Sequence, residues 1–115
     1  MKITVFSQHF WPENFRINDI IFHLAAQSIV SSSYKNPIST FKTNIMGSAN
    51  ILESYRINKI PYLVYITSDK CYLNLDLKRN YKENDILGGF DNYSSSKASA
   101  ELIFSSFFES YFTDE

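Results

Sequence analysis

The segment YSSSK places a tyrosine and a lysine four residues apart, at Tyr93 and Lys97. Residues at i and i+4 lie on the same face of a helix, so their side chains are neighbours if the segment is helical. A nearby cation stabilises a phenolate, which can remove a proton from a hydroxyl group. The pair therefore fits an oxidoreductase that works with a nicotinamide cofactor. Taken alone, the spacing is more typical of an exposed helix surface, because the chain has eight tyrosines.

A second polar group, Ser68, Asp69 and Lys70, follows the apolar run at 62–67. Polar residues at the carboxyl end of a parallel strand lie where doubly wound sheets build their sites. The simpler interpretation is a polar turn in which Asp69 satisfies backbone donors. Cys71, beside them, is more simply a buried, reduced cysteine than a reactive thiol.

Two apolar runs, 20–25 and 62–67, have the length of buried parallel strands. Between them, a polar serine-rich connection is predicted over 27–36 and an amphipathic helix over 37–57. The residues of the apolar stripe of this helix are Ile38, Phe41, Ile45, Ala49 and Leu52. Asn36 can cap this helix and Pro37 suits its first turn.

A last helix begins near Tyr93 and carries Ala98, Leu102, Ile103 and Phe107, after a long polar connection over 73–92. The order strand, helix, strand, helix predicts an α/β fold whose two strands are parallel neighbours. We expect Ser68, Asp69, Tyr93 and Lys97 to converge near the carboxyl end of the second strand.

The composition of the 115 residues bounds the remaining possibilities. A hydrophobic content of 44% argues against disorder, and ten Phe and eight Tyr predict large apolar faces. The net charge of −1 indicates neither a nucleic-acid nor a membrane partner. The single cysteine and the lack of an apolar run long enough to span a membrane predict a cytoplasmic protein. Neither His9 nor His23 has a second ligand pair near it, so we predict no metal site.

Four stretches resemble CDP-glucose 4,6-dehydratases, which belong to the extended short-chain dehydrogenase/reductase superfamily. They read IIFHLAAQ (20–27), TFKTNIMGSANILES (40–54), TSDKCY (67–72) and YKENDILGGFDNYSSSKASAEL (81–102). The resemblance covers 19–112. Lys70 makes the resemblance specific to the CDP-glucose enzymes, because the related dTDP-glucose dehydratases carry an acidic residue at that position.

The resemblance implies an NAD-dependent conversion of CDP-glucose to CDP-4-keto-6-deoxyglucose, in polysaccharide biosynthesis. Tyr93 would take the proton of the C4 hydroxyl group and Lys97 would bind the nicotinamide ribose. Ser68 would hold the C4 oxygen, Asp69 would protonate the departing C6 hydroxyl group, and Lys70 would remove the C5 proton. The residues implied in cofactor binding are Ala25, Ala26, Gln27, Tyr93 and Lys97, with Asn44 supporting the site.

The chain also departs from the pattern of these enzymes. They usually read QPLVR where this chain reads QSIVS, so Ser28 and Ser31 replace a proline and an arginine that could contact an anion. Asn80 and Ile86 stand where glycine and proline are usual.

The first twenty residues, MKITVFSQHFWPENFRINDI, instead resemble the amino terminus of WbuB-like, two-domain bacterial glycosyltransferases. None of Gly47, Gly88 and Gly89 opens a helix after an amino-terminal strand, as the pyrophosphate of a dinucleotide requires. We therefore predict a foreign segment at 1–18, followed at 19–115 by an incomplete Rossmann-like domain. This domain is expected to lack the glycine-rich first βα unit and the substrate domain.

Such a chain is expected to be inactive by itself. The alternative left open is a non-catalytic gene remnant or an interaction fragment that needs a partner chain. Self-association through exposed apolar faces is also expected.

Overall fold

The structure is a computed structural model that describes residues 20–76 and 78–113. The predicted foreign segment at 1–18 therefore lies outside the described residues. The elements are strand β1 (Ile20–His23), helices α1 (Val30–Lys35), α2 (Pro37–Phe41) and α3 (Gly47–Asn58), strand β2 (Tyr62–Tyr65) and helix α4 (Asn92–Phe107). Within the described ranges no helix is both long enough and apolar enough to cross a membrane.

The two strands are parallel neighbours, as predicted. Their register pairs Ile20 with Tyr62 and His23 with Tyr65. Each strand is two residues shorter than its apolar run, although Ile66 N–H still donates to the carbonyl oxygen of His23 at 3.0 Å. The connection between the strands runs through α1, α2 and α3, which confirms the α/β prediction.

The predicted helix over 37–57 is confirmed, but its most buried residues differ from the predicted stripe, of which Phe41, Ile45 and Ala49 are only half-buried. A π-helical turn, Lys42–Met46, joins α2 to α3. A π turn holds more residues than an α turn. The side chains that point inward therefore recur every four residues along this helix. The buried residues are Thr40, Asn44, Ser48 and Leu52. Of the predicted stripe, Leu52 is fully buried and Ile38 is 65% exposed.

The helix start and the preceding connection also differ from the prediction. The side chain of Asn36 makes no capping hydrogen bond to α2; its carbonyl oxygen instead accepts from Thr40 N–H at 3.1 Å and Thr40 Oγ1 at 3.2 Å. The predicted polar connection over 27–36 contains α1. In α1 the hydroxyl of Ser33 donates to the carbonyl oxygen of Val30 at 2.7 Å, so a serine-rich run satisfies its polar groups locally.

Helix α4 begins where predicted and packs against α1, α2, α3 and the turn that follows β2. Asp91 caps it: its carboxylate accepts from Ser94 N–H at 2.9 Å and from the Ser94 hydroxyl at 2.7 Å. Gly89 must be a glycine, because a Cβ there would overlap Ser94 Cβ and lie 2.7 Å from the Ser94 carbonyl carbon. Leu102 in the apolar part of α4 is 61% exposed.

The helices cover one face of the sheet. On that face Ile21 and His23 are buried, and the ring of Tyr65 stacks on Phe104 of α4 with centroids 5.0 Å apart. On the other face Tyr62 is 61% exposed, so the prediction of fully buried strands is wrong for β2.

Candidate functional site

The segment after β2 forms a one-turn 3-10 helix, Asp69–Cys71, directly at the carboxyl end of the strand. Ser68 caps this turn, because its Oγ accepts from Lys70 N–H at 3.2 Å and donates to Asp69 Oδ1 at 3.2 Å. Ser68, not Asp69, therefore satisfies the backbone donor that the polar-turn interpretation gave to Asp69. The side chains of Asp69 and Lys70 are exposed.

Cys71 closes this turn and is 3% exposed, which confirms the prediction of a buried cysteine. Burial and the negative charge of Glu101 raise the pKa of its thiol. The thiol is therefore protonated at neutral pH and unreactive.

Tyr93 and Lys97 lie in the first turns of α4, with Tyr93 8% and Lys97 7% exposed. The alternative of an exposed helix surface is therefore wrong. A buried lysine is uncommon in a folded protein and usually has a structural or chemical reason.

His23 lies near Lys97 on the covered face of the sheet. Its ring packs against the ring of Tyr65 with centroids 5.1 Å apart. Burial lowers the pKa of His23, and the positive charge of Lys97 lowers it further. His23 is therefore a neutral, packed side chain, as the sequence predicted.

Asn44 ties three parts of the chain together. Its Oδ1 accepts from Gln27 N–H at 2.7 Å, and its Nδ2 donates to the carbonyl oxygen of Gln27 at 3.1 Å and to Ser96 Oγ at 2.8 Å. Ser96 Oγ in turn donates to the carbonyl oxygen of Tyr93 at 2.6 Å. Asn44 thus fixes the end of β1 against the first turn of α4, which carries Tyr93.

A second chain of hydrogen bonds joins β2 to α3 and to the backbone of Asn44. Tyr65 Oη donates to Ser48 Oγ at 2.6 Å, and Ser48 Oγ donates to the carbonyl oxygen of Asn44 at 2.6 Å. Burial of the ring raises the pKa of Tyr65, so the hydroxyl keeps its proton and acts as a donor. We call the buried residues Thr40, Asn44, Ser48 and Ser96, together with the half-buried Gln27, the polar seam.

The predicted residues after β2 lie beside the start of α4. Asp69 and Lys70 line a cavity of about 300 Å³ together with Asp91 and Ser94. Ser68 and Asp69 also line a cleft of about 500 Å³ with Glu101. Across the described parts of the chain, no hydrogen bond joins the side chain of Tyr93 or Lys97 to these residues, so convergence within bonding distance stays a prediction.

Sequence reasoning missed Ser96 and Glu101. Ser96 is fully buried, and Glu101 Oε1 is buried without a hydrogen-bond partner among the described residues. Their spacing gave a usable signal: Ser96 follows Tyr93 by three residues and Glu101 follows Lys97 by four.

The segment after β1 carries the predicted cofactor-binding residues. Ala25 and Ala26 are exposed. The Gln27 side chain donates from Nε2 to the carbonyl oxygen of Ile29 at 2.9 Å, while its buried Oε1 has no partner among the described residues. An unpaired buried acceptor favours a donor from a ligand or a water.

The described glycines offer no cradle for the pyrophosphate of a dinucleotide. Gly47 lies inside a continuous helix, and Gly88 and Gly89 follow a long connection instead of the end of a strand. Residues 20–76 and 78–113 contain no group of three or more side chains suited to hold a metal ion.

Comparison with known proteins gives one consistent family. The family model described as GDP-mannose 4,6 dehydratase matches residues 14–114. CDP-glucose 4,6-dehydratase of Salmonella typhimurium is 47% identical over 95 residues, which are 82% of this chain and 26% of that protein. The dTDP-D-glucose 4,6-dehydratase of Dictyostelium discoideum is 31% identical over 103 residues, covering 81% of this chain and 24% of the relative.

Among solved structures, dTDP-glucose 4,6-dehydratase from Streptomyces venezuelae, solved with NAD bound, matches with a TM-score of 0.77 at 26% identity. The match covers 84% of this chain and 30% of that one. UDP-N-acetylglucosamine 4-epimerase from Methanobrevibacter ruminantium matches with a TM-score of 0.73 at 32% identity, covering 84% and 31%. The chain thus spans about a quarter to a third of the length of these relatives.

Proposed function

Because this chain belongs to the GDP-mannose 4,6-dehydratase family, we propose that it carries the catalytic strand end and helix of an NAD-dependent CDP-glucose 4,6-dehydratase. The observation that carries the proposal is the 47% identity to the Salmonella typhimurium enzyme. Lys70 supports the choice of a CDP-sugar, since the related dTDP-glucose dehydratases resemble this chain less and carry an acidic residue there. We place the reaction in the cytoplasm, in nucleotide-sugar metabolism for polysaccharide synthesis.

In this proposal Tyr93 accepts the proton of the C4 hydroxyl group of the glucose. Lys97, one helical turn away, stabilises the phenolate and binds the ribose of the cofactor. NAD+, when bound, supplies reversible hydride uptake from C4. Ala25, Ala26 and Gln27 hold the cofactor at the end of β1, and the unpaired Gln27 Oε1 is available to accept one hydrogen bond from it.

The turn after β2 supplies the groups for elimination of water. Ser68 binds the C4 oxygen, for which its hydroxyl must turn away from Asp69 Oδ1. Lys70 removes the C5 proton and Asp69 protonates the departing C6 hydroxyl group. Because Asp69 and Lys70 are adjacent and line one cavity, a single bound hexose can reach both side chains.

The chain spans about a quarter of the length of the Salmonella typhimurium enzyme. We propose that the 115-residue polypeptide by itself neither binds NAD+ tightly nor dehydrates CDP-glucose. Tight binding needs backbone N–H groups at a helix start aimed at the pyrophosphate, and the described glycines do not supply them. We also propose that 1–18 is foreign to the dehydratase family and that 19–115 is an incomplete Rossmann-like domain.

A second candidate function is an interaction fragment that needs a partner chain. The observation that favours it is the exposed face of β2, where Tyr62 is 61% and Val64 36% exposed. This candidate and the first differ in whether NAD+ and CDP-glucose contact the predicted site.

The test is titration of the isotope-labelled chain with NAD+ and with CDP-glucose, followed by backbone amide shifts. We expect weak, millimolar NAD+ binding that shifts the amides of 25–27 and 93–97. The variant Lys97→Met should lose these shifts, whereas the matched variant Lys59→Met, at an exposed helix end, should keep them. Shifts confined to other residues would contradict the site.

A product assay completes the test of the isolated chain. We expect no 4-keto-6-deoxy sugar after incubation with NAD+ and CDP-glucose. Micromolar affinity for NAD+, about −8 kcal/mol, or steady turnover would overturn the proposed inactivity while supporting the proposed site.

A further inference from the structure

Two hydroxyl groups connect β2 to Asn44. Ser48 Oγ accepts from Tyr65 Oη at 2.6 Å and donates to the carbonyl oxygen of Asn44 at 2.6 Å. A serine hydroxyl has a single proton, so the donation from Tyr65 leaves that proton for the carbonyl oxygen of Asn44. We call the hydroxyl groups of Tyr65 and Ser48 the hydroxyl relay. Its two hydrogen bonds run in one direction, from the strand to the backbone of Asn44.

The packing of the Tyr65 ring sets the position of the first hydroxyl. The ring packs against the ring of His23, with centroids 5.1 Å apart, and against the ring of Phe104, with centroids 5.0 Å apart. Ser48 is 3% exposed, so little water reaches its hydroxyl. Tyr65 is therefore the donor that orients Ser48.

The carbonyl group that accepts from the hydroxyl relay belongs to the π turn. At the end of this turn Gly47 N–H donates to the carbonyl oxygen of Lys42, five residues earlier. π turns inside α-helices are frequent at functional sites, and a serine that donates to the carbonyl oxygen four residues earlier often bends its helix. Asn44 lies in the middle of the turn and is 2% exposed. The turn and the relay together hold the backbone from which the Asn44 side chain extends.

From Asn44 the contacts continue to the helix that carries the proposed catalytic pair. Asn44 Nδ2 donates to Ser96 Oγ at 2.8 Å, and Ser96 stands between Tyr93 and Lys97 in the first turns of α4. We propose that the hydroxyl relay positions Tyr93 and Lys97 through the side chain of Asn44. This inference rests on the proposed function, because it assigns the relay to the reaction of that pair. Tyr65 and Ser48 are then positioning residues.

A role in stability alone predicts a different result from a role in positioning. If the hydroxyl relay only stabilises the fold, a variant without it unfolds more easily, but its folded molecules keep the hydrogen bond from Asn44 to Ser96. If the relay positions Asn44, the folded molecules themselves change, and this hydrogen bond weakens in them. The folded state of each variant therefore has to be observed directly.

The first measurement is NMR of the isotope-labelled chain without ligand, in which the side-chain amide protons of Asn44 report on their acceptors. Ser48→Ala should shift these resonances toward those of Asn50, whose side chain is exposed. Tyr65→Phe keeps the ring and should give a smaller shift in the same direction, because the Ser48 hydroxyl remains but loses its donor. Ser48→Thr keeps a hydroxyl group and should restore the wild-type resonances. Circular dichroism checks that each variant is folded.

Two matched controls remove similar hydroxyl groups elsewhere. Ser99 Oγ donates to the carbonyl oxygen of Ser95, four residues earlier, at 2.9 Å, so Ser99→Ala removes the same kind of hydrogen bond from α4. Tyr55 Oη donates to the carbonyl oxygen of Pro61 at 3.4 Å, so Tyr55→Phe removes a phenol hydroxyl from α3. Both controls should leave the side-chain resonances of Asn44 unchanged.

The second measurement connects the hydroxyl relay to the proposed reaction. NAD+ is titrated into the wild type and each variant, and the amides of 93–97 are followed. Ser48→Ala should raise the dissociation constant read from these amides about fivefold, as expected for one lost hydrogen bond, and Ser48→Thr should not. A wild type without any response to NAD+ would contradict the proposed function, whereas the resonances of the ligand-free chain would still decide whether the relay holds Asn44.

Two results would overturn the proposal. The first is a loss of stability toward urea in Ser48→Ala and Tyr65→Phe while the Asn44 resonances keep their wild-type positions, which would show that the relay only stabilises the fold. The second is an equal shift of these resonances in the two controls, which would show that Asn44 responds to any lost hydroxyl group. If Ser48→Ala does not fold, Tyr65→Phe decides between the two roles.

Discussion

The polar seam contrasts with the outer face of the sheet, by which we mean the face opposite the helices that carries Leu24, Tyr62 and Val64. Together they reverse the usual relation between polarity and burial. In the seam, Thr40, Asn44 and Ser48 are 1 to 3% exposed. On the outer face, Leu24 and Tyr62 are more than 60% exposed. The side chains of Thr40, Asn44, Ser48 and Ser96 all have hydrogen-bond partners, and a buried polar group costs most free energy when it is left unpaired. Gln27 Oε1 is the exception in the seam, because it has no partner among the described residues. Hydrogen bonding, as well as hydrophobicity, therefore decides which side chains are buried between the helices.

The two regions should therefore respond differently to mutation. In the seam, a substitution at a buried position removes hydrogen bonds between segments that are distant in the chain. On the outer face, a substitution removes no side-chain hydrogen bond between described residues, so it should change the free energy of unfolding less. The predictions below test this difference, beginning with the largest effect.

Asn44→Leu should destabilise the fold by about 3 kcal/mol, since it removes three hydrogen bonds and leaves Gln27 N–H without its acceptor. Leucine has nearly the same size, so the loss reports on polarity and not on a cavity. Urea unfolding followed by circular dichroism measures it. The control is Asn50→Leu, at an exposed position of α3, which should change stability by less than about 0.5 kcal/mol. Equal effects would show that Asn44 is not held by its hydrogen bonds.

Asp91→Ala should cost about 1 kcal/mol, because α4 loses the acceptor for Ser94 N–H at its first turn. Burial alone would raise the pKa of Asp91, but the hydrogen bonds from Ser94 outweigh it and the pKa lies below the ordinary 3.8. The unfolded state therefore binds this proton first as the pH falls. The stabilisation is complete above pH 3.8 and decreases as the pH drops through the folded pKa.

The matched variant Asp91→Asn separates the cap from the charge. Asparagine caps helices about as well as aspartate, so stability at neutral pH should be close to that of the wild type. Thermal unfolding below pH 4 should then show a weaker pH dependence than the wild type. A loss as large as that of Asp91→Ala would contradict the capping role.

Arg79→Ala should have the smallest effect, because the pair of Arg79 with Asp85 lies on the surface of the connection before α4. We expect a small fall in melting temperature at neutral pH, since an ion pair of this kind near the surface contributes little. Hydrogen bonds from Arg79, and then from Lys82 N–H, lower the pKa of Asp85 to about 2. In the variant, a carboxyl titration followed by NMR should show this pKa rising toward 3.8. A clear drop in melting temperature would show that the connection is part of the stable core.

The parallel strand pair and the two long helices could be predicted from the sequence because each depends on local patterns. Apolar runs of strand length and a clear amphipathic segment give the order of elements without any knowledge of contacts. The buried face of the helix over 37–58 could not be predicted in this way. The π turn at Lys42–Met46 changes the spacing of the inward-facing side chains. It lies where Asn44 is hydrogen bonded to Gln27 and Ser96, which are distant from it in the chain.

The candidate site shows the same difference between local sequence patterns and contacts of distant segments. The sequence by itself predicted which residues carry the chemistry, Ser68, Asp69, Lys70, Tyr93 and Lys97, from side-chain type, spacing and resemblance to a family, and their roles stay a prediction. The tertiary structure alone decided that Tyr93 and Lys97 are buried, that Ser68 caps its own turn, and that one face of β2 is exposed. Burial depends on what other segments bring to a residue, and hydrogen bonds between distant segments form only once the chain has folded.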